Sequence, residues 1–332
     1  MAAGTTGRAQ QLTYPPFPIV GRRSTPRSSS RTTRSHLLRT VGGMNVADSA
    51  IEWTDVTWNP STGCDRTSPG CDHCFALTLA KRLRAMGQAK YQNDGDPRTS
   101  GPGFKLTLHP DVVDAPRTWS GSRTVFVNSM SDLFHDDVPL GFIRDVFDVM
   151  ADTPQHQYQV LTKRSKRLRQ LAIDLPWPAN VWMGVSVETQ RYAFRVDHLR
   201  DVPAATRFVS AEPLLGPLVL DLAGIDWLIA GGESGPGARP LDGNWVRLLR
   251  DQCVASGVAF FFKQWGGRTP KAGGRELDGR LWDEMPTGQG ACEVTLATAG
   301  STAAASSRKW GPRPPSQTQI KLRPNDIVKD DA

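Results

Sequence analysis

No run of about 18 apolar residues occurs in the 332-residue sequence, so no membrane span is expected and the chain reads as a cytoplasmic protein. Cysteine is scarce, five residues in all, and no apolar secretory segment opens the chain, which argues against a disulfide framework. There is no Gly-Lys-Ser/Thr phosphate loop. None of the six histidines has the context of a Ser-His-Asp triad, and no internal repeat indicates a solenoid.

Acidic residues and lysine are absent from positions 1–43, which hold seven arginines (Arg8, Arg22, Arg23, Arg27, Arg31, Arg34, Arg39). The formal charge of +7 resides there, because the remainder carries 33 basic and 33 acidic residues. This leader, rich in Ser, Thr, Pro and Arg, is too polar to bury a core and is expected to be disordered. It can be a nucleic-acid-binding arm, a targeting peptide of organellar type, or an upstream start preceding the natural beginning at Met44. An inert tail or upstream start suits the composition best. Residues 287–332 are small and polar without apolar periodicity, and a second disordered tail is expected there.

Between them, residues 44–286 alternate β-rich runs with helical patterns. The strand candidates are IEWTDVTW, FKLTLH, RTVFVNS, QYQVLTK, NVWMGVSVE, TRFVSAEP, IDWLIAGG and VAFFFKQW. Several are nearly continuous apolar runs, as parallel strands covered on both faces are. Ile143, Val146, Phe147 and Met150 recur at helical spacing, as do Tyr192, Val196 and Leu199. Trp245, Leu248, Leu249 and Cys253 form a third stripe, on which Cys253 reads as a buried, inert thiol. Eight strand candidates in about 240 residues predict an α/β fold, a TIM-like (β/α) barrel, complete or partial. A doubly wound open sheet is the runner-up. The residues after the strands are polar: Asn128, Ser129 and Asp132, Lys163 and Arg164, Glu188, Glu212, Gly231 to Ser234, and Lys263. Barrel enzymes build their sites on this rim, although strand ends also become polar simply by meeting solvent.

Cys64, Cys71 and Cys74 are the chemically distinctive feature. Thiolates select zinc, copper(I) or iron–sulfur clusters. A structural zinc site closes with four ligands, and His73 could complete a Cys₃His set only from between two other ligands. Three thiolates on a four-iron cluster leave one iron open for a ligand. Gly63, Pro69 and Gly70 supply turns that let one loop wrap its sulfurs around one object. In GGESGPGARP, the glycines of Gly231 and Gly232 permit close backbone approach to a ligand. There Glu233 can accept from a ligand hydroxyl or amine, and Arg239 can meet a carboxylate or phosphate. The bland alternative is a Gly/Pro-rich turn with a surface glutamate. Lys163 and Lys263 can bind an anion or donate a proton, whereas Lys166, Arg167 and Arg169 read as a solvated helix face.

The ordered set IEWTDVTWNPSTGC, GCDHCFA, NSMSDLF, VLTKRS, GVSVE, SAEPLLGP, IAGGESGPGARP and FFKQWG resembles an uncharacterised three-cysteine-motif family of phages and bacteria over about residues 48–286. More distantly, it resembles the radical S-adenosylmethionine enzymes. That resemblance implies a partial or full barrel with a 4Fe-4S cluster on Cys64, Cys71 and Cys74, S-adenosylmethionine on the open iron, and a reductant protein. It places His73 near the adenine. The loop here is three residues longer than the common C-x₃-C-x₂-C spacing, and GGES follows the seventh strand candidate instead of the second. Ligand contact by Gly231, Gly232 and Glu233 therefore rests on the residues alone. Lys163, Glu188, Glu212 and Lys263 are the candidate catalytic groups. The rival functions are a zinc-dependent barrel enzyme and a non-catalytic iron–sulfur protein associated with DNA. The substrate is expected to be anionic or nucleic acid, with a separate partner protein as a further option.

A chain beginning at Met44 is expected to melt at the same temperature as the full chain and to bind as much metal, since residues 1–43 offer little apolar surface to bury. A large fall in melting temperature on truncation would refute this.

Overall fold

The computed structural model describes residues 47–48, 53–269 and 272–286. The leader 1–43, Met44 and the tail 287–332 with Cys292 lie outside the described residues. Seven strands form one parallel sheet in strict chain order: β1 (Val56–Trp58), β2 (Thr124–Val127), β3 (Gln157–Thr162), β4 (Val181–Ser186), β5 (Thr206–Ala211), β6 (Trp227–Gly231) and β7 (Ala259–Gln264). Ala47–Asp48 adds an antiparallel edge to β1. The order never reverses, so there is no topological switch point and the doubly wound alternative is excluded. Among the described residues β7 does not pair back to β1, so the sheet is a curled partial barrel.

Alternation sorts side chains between two faces. Outward residues such as Val125, Val160, Met183, Val209, Leu228 and Phe262 enter the main core, which α2 (Leu140–Asp152) and α5 (Gly243–Ser256) help to build. Inward residues Trp182, Phe208, Trp227, Ile229 and Phe261 form a second core with Trp53. Trp53 meets Phe126 and Trp227 edge-on at ring distances of 5.0 and 6.0 Å, and so plugs the concave face. Every residue of β4 and β6 is buried, which explains their continuous apolar runs.

The predicted stripe of α2 is buried in full: Ile143, Val146, Phe147 and Met150. On α4 (Phe194–Arg200) Val196 and Leu199 are buried, while Tyr192 sits in the preceding 3₁₀ turn. Asp242 caps α5 by accepting from the Asn244 amide at 2.8 Å, and Gly257 ends it in the left-handed region at φ 67°. Its buried stripe is Val246, Leu249 and Cys253, rotated away from the expected Trp245 and Leu248. The remaining helices, α1 (Phe75–Ala85) and α3 (Ser165–Leu171), follow β1 and β3.

Two expectations are corrected. FKLTLH is not a barrel strand: only Thr107–Leu108 is extended, and it pairs antiparallel with Ser61–Thr62 beside the cysteine loop. Its alternation of Lys105, Thr107 and His109 with apolar residues suits a two-stranded ribbon and not a strand covered on both faces. The link from β5 to β6 contains no helix; Leu214, Leu218, Leu220, Leu222 and Ile225 pack into the outer core in its place.

A Cβ on Gly184 in β4 would lie 2.4 Å from the Phe208 ring of β5. Gly184→Ala is expected to lower stability by about 1–3 kcal/mol, partly recovered by adding Phe208→Leu. Urea unfolding measures both, and an unchanged midpoint in the single variant would overturn the packing account.

Candidate functional site

The cysteine loop leaves the C-terminal end of β1 and is built for one path. Gly63 has φ 85°, and a Cβ there would stand 2.1 Å from the Lys105 carbonyl oxygen, so glycine is required just before Cys64. The Cys64 amide then donates to the Phe104 carbonyl at 3.2 Å. Cys71 closes the 3₁₀ turn Pro69–Cys71, and Cys74 is the N-cap of α1. Cys64 and Cys74 pack against a small apolar cluster of Ala76, Leu77, Ala80, Phe104 and Met130. All three thiols are half-buried.

Two carboxylates on strand ends clamp this loop. Glu188, after β4, is fully buried, and its Oε1 accepts from the Ser68 hydroxyl at 2.6 Å. The Lys163 ammonium lies 3.4 Å from the same oxygen, and Arg195 donates to Oε2 at 2.9 Å. Contact with the loop is so close that a Cβ on Gly70 would fall 2.5 Å from Glu188 Cγ. Glu233, after β6, receives the Arg239 amide at 2.9 Å and its Nε at 3.0 Å, and stands 2.8 Å from His73 Nδ1. Arg239 in turn donates to the Pro69 carbonyl at 2.9 Å and faces Asp72 at 3.7 Å. The loop is thus held from β4 through Ser68 and Gly70, and from β6 through Pro69, Asp72 and His73.

The Cys64 end has its own support. Arg164 Nη1 donates to Cys64 Sγ at 3.3 Å and to Asp132 Oδ2 at 3.3 Å, while Nη2 donates to the Asp65 carbonyl at 3.3 Å. Asp65 also accepts from Thr99 at 2.6 Å and meets His135 Nε2 at 2.9 Å.

These contacts set the charge states. Burial pushes the Cys64 thiol up to about 12, with Asp132 adding to the rise and Arg164 opposing it. Burial also raises Cys74, helped by Cys71 and opposed by the first amides of α1. Cys71 is lowered: burial acts against this, but the Lys163 charge and hydrogen bonds from Thr67 and Ser68 outweigh it. Cys71 acts on both other thiols, so the three sulfurs share one electrostatic neighbourhood. Glu188 is held low despite burial because Lys163 and Arg195 face it, and Lys163 is held high despite burial because Glu188 and the sulfurs face it.

The structure brings Cys64, Cys71, Cys74, His73, Lys163, Glu188 and Glu233 into one loop-and-rim assembly at the strand C-termini. Lys263 and Glu212 form a second pair on the same rim at 2.9 Å, with Ser210 donating to Glu212 at 3.2 Å. Gly231 and Gly232 lack side chains for an internal reason. A Cβ on the first would lie 2.8 Å from Glu212 Oε1, and one on the second 2.0 Å from the Trp265 carbonyl oxygen. Their close approach is to the protein's own atoms. Arg195, His135, Asp65 and Ser68 were not singled out by the sequence. Arg195 had a readable sign: it falls on the same helical stripe as Tyr192, Val196 and Leu199, where a cation demands a buried anion.

Among the described residues no three His, Cys, Asp or Glu side chains converge as donors for one metal ion. Thiolates around a single zinc lie within about 4 Å of one another, since each reaches the ion at about 2.3 Å. A four-iron cube places each thiolate on a different iron and spaces the sulfurs more widely. Lys163 and Arg164 beside the sulfurs suit a thiolate-held metal group, because three thiolates give a dicationic core, cluster or zinc, a net negative charge. Three thiols on one loop are a donor set that can hold an iron–sulfur group, each of Cys64, Cys71 and Cys74 on a different iron.

The family model described as "Protein of unknown function (DUF5131)" matches residues 48–286, and the chain belongs to that family. No curated protein matches the chain. Among solved structures, it is similar to a cysteine-to-serine mutant of spore photoproduct lyase, with TM-score 0.40 and 12% identity over 65% of this chain and 64% of that one. It is similar also to a double mutant of spore photoproduct lyase with bound AdoMet and dinucleoside spore photoproduct, with TM-score 0.39 and 10% identity over 63% of each chain. The chain thus spans less than two thirds of the length of these structures.

The clamp carries a pH signature. Glu233 is held at about 2: burial works against this, but hydrogen bonds from Arg239 and then His73 outweigh it. A carboxyl depressed by folding contributes its full stability above the unfolded pKa, and loses it as pH falls from about 4 to about 2. Glu233→Gln is expected to be less stable at neutral pH and to lose less further stability over that acid range than the wild type. Parallel denaturant midpoints for the two proteins across the range would refute the clamp's ionisation.

Proposed function

We propose that this member of the DUF5131 family is an iron–sulfur enzyme of the radical S-adenosylmethionine type, acting on an anionic substrate of nucleic-acid or nucleoside class. One observation carries the reading: three thiols from a single clamped loop stand at the strand C-termini with Lys163 and Arg164 against them. The sequence resemblance to radical enzymes attaches to the same three cysteines. Cys64, Cys71 and Cys74 would hold the cluster. When bound, the cluster and S-adenosylmethionine supply one-electron cleavage and a 5′-deoxyadenosyl radical that takes hydrogen from the substrate.

The chain's own residues orient and neutralise. Glu188 and Arg195 fix the loop, and Lys163 compensates negative charge on Cys71 and Cys74. Glu233 fixes His73 through Nδ1, leaving a ring that is 41% exposed for the adenine. Lys263, set by Glu212, offers a cation to an anionic group of the substrate. An external reductant protein in the cytoplasm completes the electron supply.

Protein purified without oxygen is expected to be brown and to hold about four irons per chain, and after reduction to release 5′-deoxyadenosine slowly from S-adenosylmethionine. Cys64→Ala, Cys71→Ala and Cys74→Ala should each abolish the release. Cys253→Ala should retain it, because that thiol is fully buried on α5 and pushed up to about 12 by burial. Stoichiometric zinc with no iron after anaerobic reconstitution would overturn the cluster. Iron without any 5′-deoxyadenosine under strong reductants would overturn the radical chemistry.

A further inference from the structure

Arg164 is the one cation that donates a hydrogen bond to a sulfur of the cysteine loop among the described residues. Its side chain is only 8% exposed, and its fork is divided among Cys64 Sγ, Asp132 and the Asp65 carbonyl. Asp132 is itself immobilised. Its Oδ1 accepts from the Thr162 hydroxyl at 2.7 Å and the Phe134 amide at 3.0 Å, and its Oδ2 accepts from the Lys163 amide at 3.1 Å. A buried carboxylate is thereby fixed beside Cys64 whether or not Arg164 is present, and Arg164 stands at hydrogen-bond distance from both. A planar guanidinium serves a sulfur, a carboxylate and a carbonyl from one rigid fork, whereas a lysine ammonium is a compact point charge on a flexible stem.

We infer that Arg164 is a positioning residue that sets the reduction potential of the group held by Cys64, by donating an N–H to its sulfur and screening it from Asp132. The inference rests on the cluster assignment of Cys64, Cys71 and Cys74. Hydrogen bonds to cluster sulfurs and local net charge are the protein's means of moving an iron–sulfur potential. Both contributions act in one direction here: a donated N–H and a positive charge favour the extra electron. Removing Arg164 loses them together and leaves the Asp132 charge facing the sulfur. The reduced state should then become harder to reach.

The test is an anaerobic redox titration followed by electron paramagnetic resonance, on wild type, Arg164→Met, Arg164→Lys and Arg144→Met. Arg144 pairs with Asp174 on the exposed side of the fold and is absent from the cysteine-loop contacts, so its variant controls for loss of one unit of charge. Arg164→Met is expected to hold as much iron as the wild type and to weaken electron uptake at least tenfold, about 59 mV more negative for a one-electron couple. Arg164→Lys should fall between the two, and Arg144→Met should match the wild type. Full iron with an unshifted potential in Arg164→Met, or an equal shift in Arg144→Met, would overturn the inference. If Arg164→Met fails to hold iron, Arg164→Lys decides: a wild-type potential with full iron overturns the inference, and a negative shift supports it. A wild-type protein that holds no iron would instead overturn the cluster assignment, and the two failures are separated by the iron assay alone.

Discussion

The site depends on a buried carboxylate, Glu188, which has no access to water and must find its partners within the fold. It finds Arg195 on α4, Lys163 after β3 and the Ser68 hydroxyl of the cysteine loop. Removing one member of such a network leaves an uncompensated charge, at a cost of about 3–5 kcal/mol. The loop carrying the three thiols is therefore bound to the stability of the sheet. A second carboxylate, Glu233, repeats the device two strands along. Between the two clamps, a loop with little apolar content of its own acquires one conformation.

The partial barrel makes this possible by separating two kinds of chemistry along its axis. The lower concave face is filled by Trp53, Phe126, Trp182, Phe208 and Trp227, in edge-to-face and tilted contacts that exclude water, with the Trp227 indole N–H donating to the Glu284 carbonyl at 2.8 Å. Further along the strands, at the alternate positions that follow, the inward residues become Lys163, Ser186, Glu188, Ser210, Glu212 and Lys263. A packed floor beneath a charged rim keeps the rim's ion pairs partly shielded from solvent, where hydrogen bonds to them gain strength. The arrangement gives the half-buried thiols cations on one side and an apolar cluster on the other.

The strands were legible because a parallel strand covered on both faces must be apolar throughout, and β4 and β6 are. The stripe of α2 was legible because helical burial repeats within a window of a few residues. FKLTLH misled for the complementary reason: a short alternating run has the same local pattern whether it joins a large sheet or a two-stranded ribbon. Gly231 and Gly232 show the limit of a glycine as a sign, since it says only that something comes close, and within the protein Glu212 and Trp265 do.

The sequence by itself determined the fold class and the scarce, clustered thiols, because burial periodicity and residue chemistry are local properties of the chain. It also determined which strand-end residues are polar. Only the tertiary structure decided what those residues do to one another. Ser68 and Glu188 are 120 positions apart, His73 and Glu233 are 160 apart, and Arg164 lies 100 positions from the sulfur it touches. Such pairings depend on strand order and register, which no local pattern encodes. The division between Glu188 as a clamp and Glu212 as a partner of Lys263 follows from the same cause: both read as a lone glutamate after a strand, and their neighbours differ only once the sheet has curled.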